Sequence, residues 1–70
     1  MNLTNREFEV MELICDGLSN NEIADKLIIS TNTVKAHVVS IIEKLQAKNR
    51  TSAVYIFCNN YLMLRKAVWL

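Results

Sequence analysis

One short pattern occurs three times in the first half of this chain, as LTNREF at 3–8, LSNNEI at 18–23 and ISTNTV at 29–34. Each copy has the form of a helix start. A hydroxyl residue suited to the N-cap (Thr4, Ser19, Ser30) follows an apolar residue (Leu3, Leu18, Ile29), and a second apolar residue (Phe8, Ile23, Val34) stands at the spacing of a hydrophobic staple. With no proline and a single glycine in 70 residues, closely spaced helix starts direct the chain to an all-α domain with short connections. The first two copies add Glu7 and Glu22, which complete Ser/Thr-x-x-Glu capping boxes of about 1 kcal/mol each. The third copy has Thr33 instead. A carboxylate complements the positive end of a helix, so its omission fits a helix end that faces other anions, and phosphates are the obvious candidates.

The periodicity predicts a first helix over 5–15, closed by Asp16 and Gly17, with Phe8, Met11, Ile14 and Cys15 as its main apolar stripe and Val10 and Leu13 beside it. A short second helix over 20–27 buries Ile23, Ala24 and Leu27. A longer third helix over 31–46 follows after three residues. Val34, Val38, Ile41, Ile42 and Leu45 form one face of this third helix, and Asn32, Lys35, Ala36, Val39 and Glu43 point the other way. A short helix, a tight connection and a longer helix with a polar, basic outer face make a helix-turn-helix over about 20–46. An α-helix fits the major groove of DNA, where its first turns reach base edges, although helix pairs of this kind also occur in proteins that touch no DNA. A fourth helix opens near Asn49 or Thr51 and runs to Asn59 or Asn60. Its segment from Ala53 to Cys58 is apolar all round. Its outer side needs cover, from a second copy of the chain or from a tail (64–70, or from Tyr61 onward) folded back upon it.

Six of the seven acids precede Lys26 and seven of the eight bases lie from Lys26 onward, so the first 25 residues carry −5 and the remainder +6. This asymmetry is either a dipolar, anion-seeking surface or ordinary solvated helix charge. A domain this small buries only about 60% of the surface its unfolded chain exposes, so a partner would add needed stability. Cys15 and Cys58 lie in apolar stretches without C-x-x-C spacing and read as reduced core residues, with no disulfide or metal site. No metal, cofactor, membrane span or catalytic constellation is expected, and the chain does not read as an enzyme. The lone His37 reads as structural or phosphate-proximal.

The ordered set LTxRE, GLSNxEIA, ISxxTVKxH, KL and NRTxAV resembles the LuxR-type (GerE-like) DNA-binding domain found at the C-terminus of NarL/FixJ-type response regulators. The resemblance runs from Leu3 to about Met63. It implies a four-helix, bundle-like, winged-helix-like domain without a β wing over 1–63, followed by the tail at 64–70. It also implies a cytoplasmic transcription regulator that binds two half-sites of double-stranded DNA as a homodimer, with RNA polymerase as a further partner. By position, Asn32, Lys35, Ala36 and Val39 would face the bases. Asn20, Asn21, Thr31, Thr33 and Lys44 would contact or support phosphates, and Ala53, Val54, Tyr55 and Phe57 would form the dimer contact in a helix over about 50–60. Many members carry a base at the position of Asn21, and some carry a polar residue at that of Val39. The residues here imply weaker nonspecific affinity and a more apolar readout, such as valine against a thymine methyl. Lys44 and Arg50 either bind backbone phosphate or pair with early acids such as Glu7.

The alternative reading, from another functional class, is a protein-interaction module of the same fold that sequesters a regulator through the fourth helix. On the DNA-binding reading, Thr33→Glu weakens DNA binding while circular dichroism shows unchanged helicity. Unchanged affinity in a folded variant would remove the explanation offered for the missing glutamate.

Overall fold

The computed structural model describes residues 2–62, so the tail at 64–70 and any folding back of it lie outside the described residues. Four α-helices follow one another: α1 (Asn5–Cys15), α2 (Asn20–Leu27), α3 (Thr31–Lys44) and α4 (Arg50–Phe57). A π-helical turn, Cys58–Leu62, extends α4, so the fourth helix runs on where the sequence pattern ends it near Asn59 or Asn60. There is no strand among the described residues, and none of their helices is long and apolar enough to cross a membrane.

All three repeated patterns are helix entries. Thr4, Ser19 and Ser30 are extended N-cap residues whose hydroxyl oxygens accept from the backbone N–H of Glu7, Glu22 and Thr33. Asn49 caps α4 in the same way, through Ser52. The helix ends are equally regular. Gly17, Ile28 and Gln46 adopt positive φ (92°, 56° and 54°), and the next amide reaches back five residues, from Leu18 to Leu13, Ile29 to Ala24 and Ala47 to Ile42. These are Schellman-type closures, and their outer residues Leu18, Ile29 and Ala47 all pack against the core. Leu18 and Ile29 also stand one residue before the next N-cap. One side chain thus closes one helix and staples the next, which keeps both connections short. The closure after Lys44 uses Leu45 and Gln46, so α3 stops two residues short of the sequence expectation. Ile28, a β-branched residue in the left-handed region, is 89% exposed, so its strain is held by the backbone bonds around it and not by burial of its own side chain.

α3 packs against each of the other α-helices, and the core combines Val10, Met11 and Ile14 of α1, Ile23 and Ala24 of α2, Val34 and Ile41 of α3 with Leu45 just beyond it, and Ala53 and Phe57 of α4. Phe8 meets Phe57 edge to face, with ring centroids 5.0 Å apart, and so joins α1 to α4. α4 is less apolar on its outer side than its sequence suggests. Ala53 and Phe57 are buried, Val54 and Ile56 pack partly on the core, and the exposed residues are Thr51 and Tyr55, with Asn59 and Asn60 in the turn that follows.

Inside this apolar frame lies one buried acid. Glu7 is 4% exposed. Its Oε1 accepts from the Thr4 amide (2.9 Å) and the Lys44 ammonium (2.7 Å), while Oε2 accepts from the Ser40 hydroxyl (2.7 Å). Burial alone would raise its pKa, but the bonds from Lys44, the Thr4 amide and Ser40 outweigh that effect and lower it from 4.5 to about 2. The folded-state value lies below the unfolded one, so the associated stability is fully present above pH 4.5 and is lost as the pH falls toward about 2. Glu7→Gln should therefore cost on the order of 2–3 kcal/mol at pH 7 in urea unfolding, with the gap from the parent chain closing as the pH approaches 2. A pH-independent gap would show that the carboxylate charge is not what stabilises the fold.

Candidate nucleic-acid interface

The core stripe of α3 fixes which residues it turns outward. Asn32, Thr33, Lys35, Ala36, Val39 and Glu43 are all exposed, Val39 to 57%. Lys35, Val39 and Glu43 follow one another at i, i+4 and i+8, with Asn32 and Ala36 forming a parallel row. The result is a ridge with a cation and an amide at its N-terminal end and two small apolar side chains beyond them. His37 is half-buried on the flank.

Beside this ridge lies an open recess lined by Ser19, Asn20, Asn21, Thr31, Lys35 and Arg50. Here the beginnings of α2, α3 and α4 come together. Arg50 Nη1 donates to Asn20 Oδ1 (2.7 Å), and the Thr31 hydroxyl donates to Asn21 Oδ1 (3.0 Å). Both asparagine oxygens are thereby used within the protein, which leaves their amide NH2 groups as donors. Together with the Lys35 ammonium and the Arg50 guanidinium, the recess has the donor-rich, positive character that suits an anion.

The three similar helix entries differ where the sequence differs. In α1 and α2 the carboxylates of Glu7 and Glu22 accept from the N-cap amides of Thr4 and Ser19, at 2.9 and 2.8 Å. Glu22 is held below the usual carboxylate range by the Ser19 amide and then by the Ser19 hydroxyl. In α3 the Thr33 hydroxyl lies 2.8 Å from that of Ser30, so the entry is capped without a negative charge.

Most of the residues singled out from the sequence fall into one region. Asn32, Thr33, Lys35, Ala36 and Val39 share the exposed side of α3, and Asn20, Asn21 and Thr31 line the adjoining recess. The structure gives the remaining residues other neighbours. Lys44, read from the sequence as binding phosphate or pairing with an early acid such as Glu7, bonds to Glu7, because a buried carboxylate requires a counter-charge and α3 carries this lysine past it. Ala53 and Phe57, assigned to a dimer contact, are 1% and 0% exposed and belong to the core, which leaves only Val54 and Tyr55 of that set with surface to offer. Ser19, which was not in the phosphate set, and Arg50, read from the sequence as binding phosphate or pairing with an early acid, also line the recess. The NRT motif was the available signal for Arg50, whose side chain the structure brings to Asn20 and not to an acid. Among the described residues, no group of three or more His, Cys, Asp or Glu side chains is placed to hold a metal ion.

Residues 1–57 match the profile of the bacterial regulatory proteins of the luxR family. The chain belongs to this family. Over 52 residues it is 52% identical to the probable csgAB operon transcriptional regulatory protein of Salmonella typhimurium, an alignment covering 74% of this chain and 24% of that protein. Over 61 residues it is 48% identical to the response regulator protein VraR of Staphylococcus aureus, covering 86% and 29%. Among solved structures, the response regulator ChrA of a heme-sensing two-component system superposes with a TM-score of 0.81 at 42% identity, covering 89% of this chain and 31% of that one. The chain thus spans about a quarter to a third of the length of these relatives, and it corresponds to the LuxR-type DNA-binding domain of response regulators. That family is a class of transcription regulators and not of enzymes.

Arg50 in the recess and Lys44 on Glu7 separate cleanly by experiment. Arg50→Ala should weaken binding to all duplex sequences alike and reduce the salt slope by about one. Lys44→Met should lower stability in urea and leave the salt slope unchanged, because its charge is directed at Glu7. A reduced slope for Lys44→Met would return that lysine to the phosphate-contacting set.

Proposed function

We propose that this domain binds an operator in double-stranded DNA sequence-specifically, with the exposed ridge of α3 in the major groove, and that it is the output domain of a cytoplasmic response regulator. The observation that carries this reading is the adjacency of ridge and recess. Lys35 belongs to both, so the helix that would read bases is continuous with a donor-rich surface suited to the backbone. Asn32 and Lys35 would supply hydrogen bonds to base edges, and Ala36 and Val39 would supply apolar contact, as with a thymine methyl. Ser19, Asn20, Asn21, Thr31, Thr33 and Arg50 would position the backbone, since phosphate contacts fix orientation while base contacts give specificity.

A homodimer on two half-sites fits the same reading, with Tyr55, 69% exposed on α4, as its anchor and Val54 beside it. RNA polymerase is the further partner that such a regulator would meet. The reading of this domain as a protein-sequestering module loses support, because burial of Ala53 and Phe57 removes much of the apolar surface it needs.

The test is a salt series of binding to duplex DNA for this chain and for Lys35→Ala, with sedimentation to follow dimer formation and a Tyr55→Ala control. The expected result is affinity that falls steeply with salt, a slope smaller by about one for Lys35→Ala, and weaker self-association for Tyr55→Ala. Salt-insensitive binding, or no binding by the folded chain, would refute the DNA-binding assignment of this surface.

A further inference from the structure

Away from the α3 ridge, the structure joins two residues that the sequence holds 43 positions apart. The Sγ atoms of Cys15, the last residue of α1, and Cys58, where α4 passes into the π-helical turn, are 3.5 Å apart. Both are free thiols and both are only partly buried. This is hydrogen-bonding distance for two thiols, and a closing movement of about 1.5 Å would bring the sulfurs to the length of a disulfide bond. The same two helices are already joined by the contact of Phe8 with Phe57, which neighbours Cys58. The elements that carry the sulfurs are therefore held together whether or not the bond forms.

We propose that Cys15 and Cys58 form a redox-active dithiol, a site at which a hydroperoxide oxidant closes an intramolecular disulfide that clamps the end of α1 to the end of α4. In the first step the sulfur of Cys58 attacks one oxygen of the hydroperoxide and the O–O bond breaks. Cys58 becomes a sulfenic acid, and its thiol proton leaves with the displaced oxygen as water or an alcohol. In the second step the sulfur of Cys15 attacks the sulfur of Cys58. The S–S bond forms, the S–O bond breaks, and the hydroxyl leaves as water with the proton of Cys15. Each sulfur has then lost one electron, and the two electrons have reduced the O–O bond. Burial, followed by its contact with Cys58, pushes the Cys15 thiol up to about 12, which disfavours it as the first nucleophile and leaves that step to Cys58.

The consequence is a reversible gain in rigidity. A link between positions 43 apart removes much of the freedom of the unfolded chain, so the oxidised domain should melt about 10 °C or more above the reduced one. The experiment treats the reduced chain with graded hydrogen peroxide, blocks remaining thiols with an alkylating agent, and follows intact mass, non-reducing denaturing electrophoresis and thermal unfolding. The expected product is a monomer lighter by two hydrogens, closed to alkylation, with the raised melting temperature and full reversal by dithiothreitol. Cys15→Ser and Cys58→Ser should show no rise on the same treatment. Persisting alkylation of both thiols, sulfinic acid on single cysteines, or disulfide-linked dimers as the main product would each overturn the proposal. The mass and alkylation results on the parent chain decide it even if a serine variant folds poorly.

Discussion

The Glu7 carboxylate is the interaction on which the arrangement of α1 and α3 depends. It completes the capping box of α1 and at the same time takes the Ser40 hydroxyl and the Lys44 ammonium of α3. A buried carboxylate is tolerable only while such partners remain, since removing one partner of a buried pair costs about 3–5 kcal/mol. Ser40 and Lys44 are four residues apart, on the flank between the buried and exposed stripes of α3. Holding that flank against Glu7 acts together with the buried stripe of Val34 and Ile41 to fix the rotation of α3 about its own axis. The direction of Lys35 and Val39 follows from that rotation, so the core stripe and the ion pair on its flank agree on what the exposed ridge presents.

The second constraint is the way the helices end. A left-handed residue, an apolar residue and a hydroxyl N-cap make the links from α1 to α2 and from α2 to α3, as Gly17, Leu18 and Ser19 and as Ile28, Ile29 and Ser30. Because the apolar residue of each link serves both helices, neither connection has slack. The starts of α2, α3 and α4 then converge at the recess, where the positive ends of the helices and the side chains of Lys35 and Arg50 lie together. Of the three similar entries, α3 is the one whose cap adds no charge, which is consistent with its place at the centre of the proposed interface.

Much of the fold and part of the site were legible in the order of residues. The caps at Thr4, Ser19 and Ser30, the closure at Gly17 and the two sides of α3 rest on interactions within about five residues, and all are found in the structure. What the order of residues left open shares a cause. Lys44 and Lys35 are both cations on α3, and the choice for Lys44 between phosphate and Glu7, 37 positions upstream, waited on the packing of α1 against α3. Ala53 and Phe57 stand in an apolar run that reads the same on every side, so the choice of inward face waited on the position of Phe8. Asn20 with Arg50 and Cys15 with Cys58 carry no spacing signal, because each pair is created by the packing of separate helices.

The sequence by itself therefore determined the helices, their limits to within a residue or two, the membership of the luxR family and the row of residues that α3 turns outward. Capping, periodicity and left-handed closures act through neighbouring backbone groups, and local order is enough to specify them. Only the tertiary structure decided which cation remains available to an anion, which apolar residues of α4 are already covered, and which thiols meet. Those outcomes turn on placing groups 30 to 43 positions apart within hydrogen-bonding distance, and it is the joint packing of the four helices around one apolar core that does so.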